Sequence, residues 1–209
     1  MSVLKAIYRR LLAFRPLVHV GQFLVTGEWT PRRVPLLAES LRPADNVLDL
    51  GCGSAPVLEH CTPARYVGID EHEPSLAQAR RTHAGPGRDF VLAAVTTTDF
   101  SPWRESDVVV LSSVCHHLPG DEVVALVRRI LEEVGPERVL VQDAEPTGPL
   151  RGLVTAVDDG DHLRPQTELE ELLRRAGGDV TLCWAYDNPL RSFHQFLYEV
   201  RPILPTREH

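Results

Sequence analysis

Three groups of residues in this 209-residue chain have the types and spacing of a reactive site. The first is the segment Asn46-Val-Leu-Asp-Leu-Gly-Cys-Gly-Ser-Ala-Pro56. Gly51 and Gly53 let the backbone turn sharply and approach a ligand with no Cβ in the way. Pro56 suits the first position of a helix, where its missing N–H costs nothing. The second is Tyr66-Val-Gly-Ile-Asp70, a short apolar run ending in a carboxylate 19 residues after Gly51. That is about the separation at which an acid reaches a ribose diol. Glycine turn and acid together predict an adenosine-containing ligand. The third group is His116-His117 behind the apolar run Val108–Leu111, with Asp143 and Glu145 further on. A histidine titrates near neutrality and can take a proton from a hydroxyl.

A dinucleotide fingerprint requires G-x-G-x-x-G, with the third glycine for close helix–strand packing. Pro56 stands at that third position, so the fingerprint fails. The stretch Val47–Pro56 instead closely resembles the first motif of class I S-adenosylmethionine (SAM)-dependent methyltransferases. Tyr66–Asp70 resembles their second motif, and Val108–Pro119 resembles the fourth-strand segment of their small-molecule branch. The resemblance runs from about residue 40 to residue 200.

The resemblance implies a cofactor, SAM, and a set of contacts. Gly51, Cys52 and Gly53 would approach its methionyl and ribose parts, Asp49 would orient its amino-acid end, and Asp70, with Glu71 beside it, would accept from the ribose hydroxyls. In the family an acid after the third strand often meets the adenine amine. Here that place holds Ala94-Val95, so that contact is missing; Val95 and Thr96 are the candidates there, with the Thr96 backbone or Asp99 as the replacement for the acid. Ser112 and Ser113 would place backbone carbonyls near the methionyl end. His116 and His117 are the candidate bases, although the His-His-Leu triplet also serves as scaffold in the family. Asp143 is a candidate for orienting the acceptor. His19, Phe23, Trp29 and Tyr186 are candidates for the substrate side. Methyl transfer needs reactants held nearly in line, so positioning supplies much of the barrier reduction and no metal site is expected. Ser112-Ser113-Val114-Cys115 lacks the Asn/Asp-Pro-Pro-Tyr of amino-methylating nucleic-acid enzymes, the carboxylate of metal-dependent catechol enzymes and the paired glutamates of protein arginine methyltransferases.

The elements that must position these residues read as an α/β, Rossmann-like fold. It has a seven-stranded, mostly parallel sheet finished by an antiparallel hairpin, with helices on both faces. Strands are expected at Val47–Leu50, Tyr66–Asp70, Phe90–Ala94, Asp107–Leu111 and Val139–Val141, each a short apolar run between turn formers. Val180–Tyr186 and Phe193–Val200 form the hairpin. Helices are expected at Thr30–Leu41, Pro56–His60, Glu73–Arg81 and Asp121–Val134. A further helix runs from a capping box, Thr167-Glu-Leu-Glu170, to Gly177-Gly178. Residues 142–166 read as an irregular acidic insertion, with Asp143 and Glu145 just past strand five.

Residues 1–40 are expected to form a helical lid or cap, residues 41–204 the SAM-binding core and residues 205–209 a tail. Val3, Leu4, Ile7, Leu11 and Phe14 recur at helical spacing, which suits packing on the domain or a lid over an apolar substrate better than a membrane surface. The first 33 residues hold six basic side chains against one acid, yet the whole chain carries −7, so no global attraction to nucleic acid is expected. No apolar run approaches the roughly 20 residues of a membrane span. Four scattered cysteines, Cys52, Cys61, Cys115 and Cys183, suit reduced thiols in the cytoplasm. The expectation is a methyltransferase for a small, apolar acceptor, with a hydroxyl favoured and secondary metabolism as the setting. The alternatives are a methyltransferase-fold enzyme using SAM in another reaction, such as cyclisation, and a non-catalytic SAM-binding subunit.

Overall fold

The computed structural model describes residues 32–149 and 162–203. Among them seven strands form one sheet: β1 (Asn46–Leu50), β2 (Arg65–Asp70), β3 (Arg88–Leu92), β4 (Val108–Ser112), β5 (Arg138–Pro146), β6 (Gly178–Asp187) and β7 (Phe193–Pro202). The strand order is β3-β2-β1-β4-β5-β7-β6. The first five strands are parallel, and β7 runs antiparallel between β5 and β6. The four α-helices described are α1 (Arg33–Glu39), α2 (Glu73–His83), α3 (Gly120–Arg129) and α4 (Gln166–Arg175).

Both faces of the central strands are buried, which is why they read as continuous apolar runs rather than as alternating patterns. Alternation still decides which side each residue serves. Leu48, Leu50, Val67, Ile69, Val109 and Leu111 pack on one face with apolar residues of α3 and α4. Val47, Tyr66, Val108, Val110 and Leu140 pack on the other with α1 and α2. Asp49 shares the parity of Val47, so the strand turns a carboxylate into this second face at its carboxyl end. The order reverses between β1 and β4, which opens the crevice where open α/β sheets bind ligands.

Several boundaries differ from the sequence expectation. Strand β5 continues through Pro146 because β7 pairs with it as far as Pro146↔Phe193. Asp143 and Glu145 therefore stand on a strand, not in an insertion after it. Helix α4 starts at Gln166 with Pro165 as its N-cap and no side-chain cap bond. Thr167 lies inside the helix, so the capping box does not form. Gly178 belongs to β6, where a Cβ would stand 2.1 Å from a Val200 methyl carbon. Strand β3 ends two residues early, at Leu92. The segment after it carries one 3₁₀ turn at Ser101–Trp103. Helix α3 passes into a π-turn at Ile130–Val134 and stops at Gly135 in the left-handed conformation. Helix α1 spans only Arg33–Glu39. His19, Phe23, Trp29 and the apolar pattern of residues 2–14 lie outside the described residues, as do residues 150–161 and 204–209.

Candidate active site

The glycine turn hangs from the end of β2. The N–H groups of Gly51 and Cys52 both donate to the Ile69 carbonyl, at 2.7 and 3.1 Å. Gly51, Gly53 and Ala55 all have positive φ, 76°, 55° and 55°. Gly51 needs its glycine twice over, because a Cβ there would stand 2.5 Å from Val114 Cγ2. The turn after β1 thus packs directly on the loop after β4, across the crevice. Among the described residues a Cβ at Gly53 would meet nothing within 4 Å, so they leave the turn's outer face open to a ligand.

Asp70 organises this turn. Its Oδ2 accepts from the Gly53 N–H and its Oδ1 from the His72 N–H, both at 2.7 Å. A carboxylate has about four lone-pair sites, so each oxygen can still accept a ribose hydroxyl. Glu71 beside it is exposed. Asp49 is 4% exposed. Its Oδ2 accepts from the Tyr66 hydroxyl at 2.6 Å, while its Oδ1 has no hydrogen-bond partner among the described residues. Burial pushes the Asp49 carboxyl up from 3.8 to about 7. The Tyr66 bond pulls against that rise, and Asp70 adds to it. Cys52 is buried in the same turn, and burial together with Asp49 and Asp70 pushes its thiol well up, so it stays protonated.

Val95 packs against the core of the α3 face. Thr96 is half-buried, and its carbonyl accepts from Arg129 Nη1 at 2.8 Å. Arg129 also donates to the Thr98 carbonyl at 2.7 Å and lies 4.9 Å from the Phe100 ring centre. One arginine at the end of α3 therefore fixes the whole segment after β3. Ser112 stands opposite Gln142 in the β4–β5 register, and its hydroxyl donates to Gln142 Oε1 at 2.7 Å. Ser113 adopts φ 58° and donates its N–H to the Gln142 carbonyl.

Past β4, a 3₁₀ turn at Cys115–His117 carries the two histidines. His116 Nδ1 lies 2.6 Å from Asp143 Oδ1, and the His116 N–H donates to Asp143 Oδ2 at 3.1 Å. The Asp143 side chain is 5% exposed and that of His116 13%. With Nδ1–H donated to a carboxylate, the neutral ring carries its lone pair on Nε2. His117 is exposed, its ring centre 4.2 Å from that of His116. Residues 162–164 hold this turn from outside. Arg164 donates to the Cys115 carbonyl at 2.9 Å and to the Leu118 carbonyl at 2.6 Å. The His162 N–H donates to the His116 carbonyl at 2.9 Å. Tyr186 stands on β6, opposite Gln195, which in turn faces Ala144. The Arg32 guanidinium lies 5.2 Å from its ring centre. It is two strands from Asp143.

The structure thus brings Asp49, Gly51, Cys52, Gly53 and Asp70 into one cradle, and His116 with Asp143 into one dyad. Tyr66, Gln142, Arg129 and Arg164 were not legible as site residues. Tyr66 reads as a strand residue, Gln142 and Arg164 fall in the expected insertion, and Arg129 falls in the expected helix 121–134. The polar ends of β4 and β5 were the only signal for the Ser112–Gln142 pair. Among the described residues no group of three or more His, Cys, Asp or Glu side chains is arranged to hold a metal ion, and no helix is long and apolar enough to cross a membrane.

Residues 47–137 match a family model described as methyltransferase domain. A search of curated proteins found no match. Solved structures similar to this chain include magnesium protoporphyrin IX methyltransferase (ChlM) from Synechocystis PCC 6803 with bound SAH. It is 17% identical, with 82% of this chain and 80% of that one covered and a TM-score of 0.60. The YcgJ protein from Bacillus subtilis is 13% identical, with 82% and 98% covered and a TM-score of 0.63. The pyocyanin biosynthetic protein PhzM is 22% identical, with 80% of this chain but only 54% of that one covered and a TM-score of 0.60. At these identities the likeness speaks to the fold. That fold is the Rossmann-like, seven-stranded fold of the SAM-dependent methyltransferases. The family match covers residues 47–137, and the strand order agrees with that fold.

Proposed function

We propose that the protein transfers a methyl group from SAM to a hydroxyl of a small, apolar acceptor, with His116 as the base. The observation that carries this reading is the 2.6 Å contact between His116 and Asp143 at the carboxyl edge of β4 and β5. A carboxylate acceptor needs no such base, whereas a phenol with a pKa near 10 does.

The residues fit the cofactor on two observations. Asp49 Oδ1 is a buried acceptor without a partner among the described residues, suited to the ammonium group of an amino-acid end. The space over Gly53 is open among the described residues. Asp49, Gly51, Cys52 and Gly53 would hold the methionyl part, Asp70 the ribose, and the segment at Val95 and Thr96 the adenine. Bound SAM supplies a methyl group made electrophilic by the attached sulfonium. Asp143 holds the His116 ring in one orientation by accepting a hydrogen bond from its Nδ1–H. His116 then accepts the hydroxyl proton at Nε2. Arg164 and His162 keep the turn that carries His116 from shifting. His117 and Tyr186 are assigned to the acceptor side.

Magnesium protoporphyrin IX methyltransferase and the pyocyanin biosynthetic protein are both named for small-molecule chemistry, which supports a small acceptor and a role in secondary metabolism. The test is a screen of apolar hydroxylated compounds for SAH release, repeated with His116→Ala. A general base contributes about 10²- to 10⁴-fold. The variant is expected to lose that much in kcat while binding SAH as the wild type does. Methylation of polar metabolites alone, or an undiminished rate in His116→Ala, overturns the reading.

A further inference from the structure

Asp49 on β1 and Tyr66 on β2 form a side-chain pair that joins the two sequence motifs. In the β1–β2 register Val47 faces Tyr66 and Asp49 faces Gly68. The pair is therefore diagonal, and the phenol must lie along the strand, past residue 68, to reach the carboxylate. It can do so because residue 68 has no side chain. A Cβ there would stand 3.1 Å from Tyr66 Cε1 and 2.7 Å from Cys52 Sγ. Tyr66 is fully buried. Burial, Asp49 and Cys52 hold its hydroxyl well above the ordinary phenol range, so it remains a donor.

We propose that Tyr66 is a positioning residue for the cofactor: its hydroxyl ties down one oxygen of Asp49 and leaves the other to accept from the ammonium group of the cofactor's amino-acid end. The inference rests on the methyltransferase reading above. The fixed oxygen is Oδ2, bonded at 2.6 Å, and the available one is Oδ1, buried and without a partner among the described residues. Tyr66 also favours the ionised carboxylate, because a hydrogen bond donated to the charged form stabilises that form.

The titratable groups around Asp49 are Tyr66 and Asp70 of β2, Cys52 of the turn and Cys61 beyond it. Asp70 and burial oppose ionisation of Asp49. The hydrogen bond from Tyr66 favours it. Cofactor binding then requires Asp49 to ionise, and the proton it gives up passes to solvent. Binding and proton release are linked, and Tyr66 sets how much of the carboxyl is already ionised beforehand.

The test is calorimetric titration of the full chain with SAH near about pH 6, 7 and 8, each in two buffers of different ionisation enthalpy. This reads affinity and proton release together. The wild type is expected to release a fraction of a proton near neutrality. Tyr66→Phe keeps the packing and removes the donor. It is expected to bind about tenfold more weakly at neutrality, to release more proton, and to recover affinity as pH rises. Asp49→Asn is the second variant, in case Tyr66→Phe folds poorly. Its affinity is expected to be flat over the same pH range, with no proton released. Equal affinity and equal proton release in the wild type and Tyr66→Phe overturn the proposal. So does a wild-type pH dependence in Asp49→Asn. A wild type that binds no SAH at any pH removes the methyltransferase reading, and the inference with it.

Discussion

Asp49→Asn is expected to change how the stability of the cofactor-free protein depends on pH, and the size of the change follows from burial. Asp49 is 4% exposed and has one oxygen without a partner among the described residues. Its carboxyl is pushed from an ordinary 3.8 to about 7, chiefly by loss of hydration. The folded state therefore binds this proton more tightly than the unfolded state does. Stability is lost as pH rises from about 4 to about 7, and the penalty is constant above that range. Three pKa units correspond to about 4 kcal/mol at the plateau. Between about pH 5 and pH 8 the wild type should lose about 2.5 kcal/mol that the asparagine variant does not. For a chain of this length that is about 5–10 °C in Tm. Asparagine also leaves an amide without a partner, a cost of about 1–3 kcal/mol. That cost is independent of pH and cancels when the two pH values are compared within each protein. Scanning calorimetry of both proteins at the two pH values measures the difference directly. Parallel curves, with the same loss in wild type and variant, would refute the claim that Asp49 is buried and raised.

Other perturbations test other parts of the site. Gly51→Ala puts a Cβ 2.5 Å from Val114 Cγ2 at φ 76°. It should cost about 2–4 kcal/mol in urea denaturation; an unchanged midpoint would mean that the turn and the loop after β4 do not touch. Arg138 and Asp45 form a buried pair at 2.6 Å beneath the sheet. Arg138→Met should cost about 3–5 kcal/mol by stranding the carboxylate, and adding Asp45→Ala should recover part of it. Arg164→Ala releases the carbonyls of Cys115 and Leu118. It should lower kcat about tenfold with SAH affinity unchanged, whereas equal losses in both would mark Arg164 as a general support of the fold.

The glycine turn, Asp70 and the alternation of strands and helices were legible because they are local. A turn that needs positive φ at Gly51 and Gly53 declares itself in glycine, and a strand buried on both faces declares itself in an unbroken apolar run. Ala55 did not declare itself, although it adopts φ 55° as the residue before Pro56. Pairing lengths were equally hidden. Nothing in residues 142–146 announces a strand, because β5 extends there only through its antiparallel partner β7. The failed capping box at Thr167 has the same origin. The chain enters α4 through Pro165, and the Gln166 N–H is taken by Glu145 of β5 instead.

By itself the sequence determined the class of fold, the place of the cradle and the identity of the acid that shapes it, since each depends on backbone conformation within a few residues. Tertiary structure alone decided which side chains meet. His116 and Asp143 are 27 positions apart and become a dyad only because β4 and β5 pair in parallel and place both at one edge. Tyr66 becomes a partner of Asp49 only because residue 68 has no side chain. Arg164 reaches the Cys115 carbonyl across 49 positions. Such contacts are set by sheet register and by packing distances of a few ångströms, and no periodicity or local propensity carries that information.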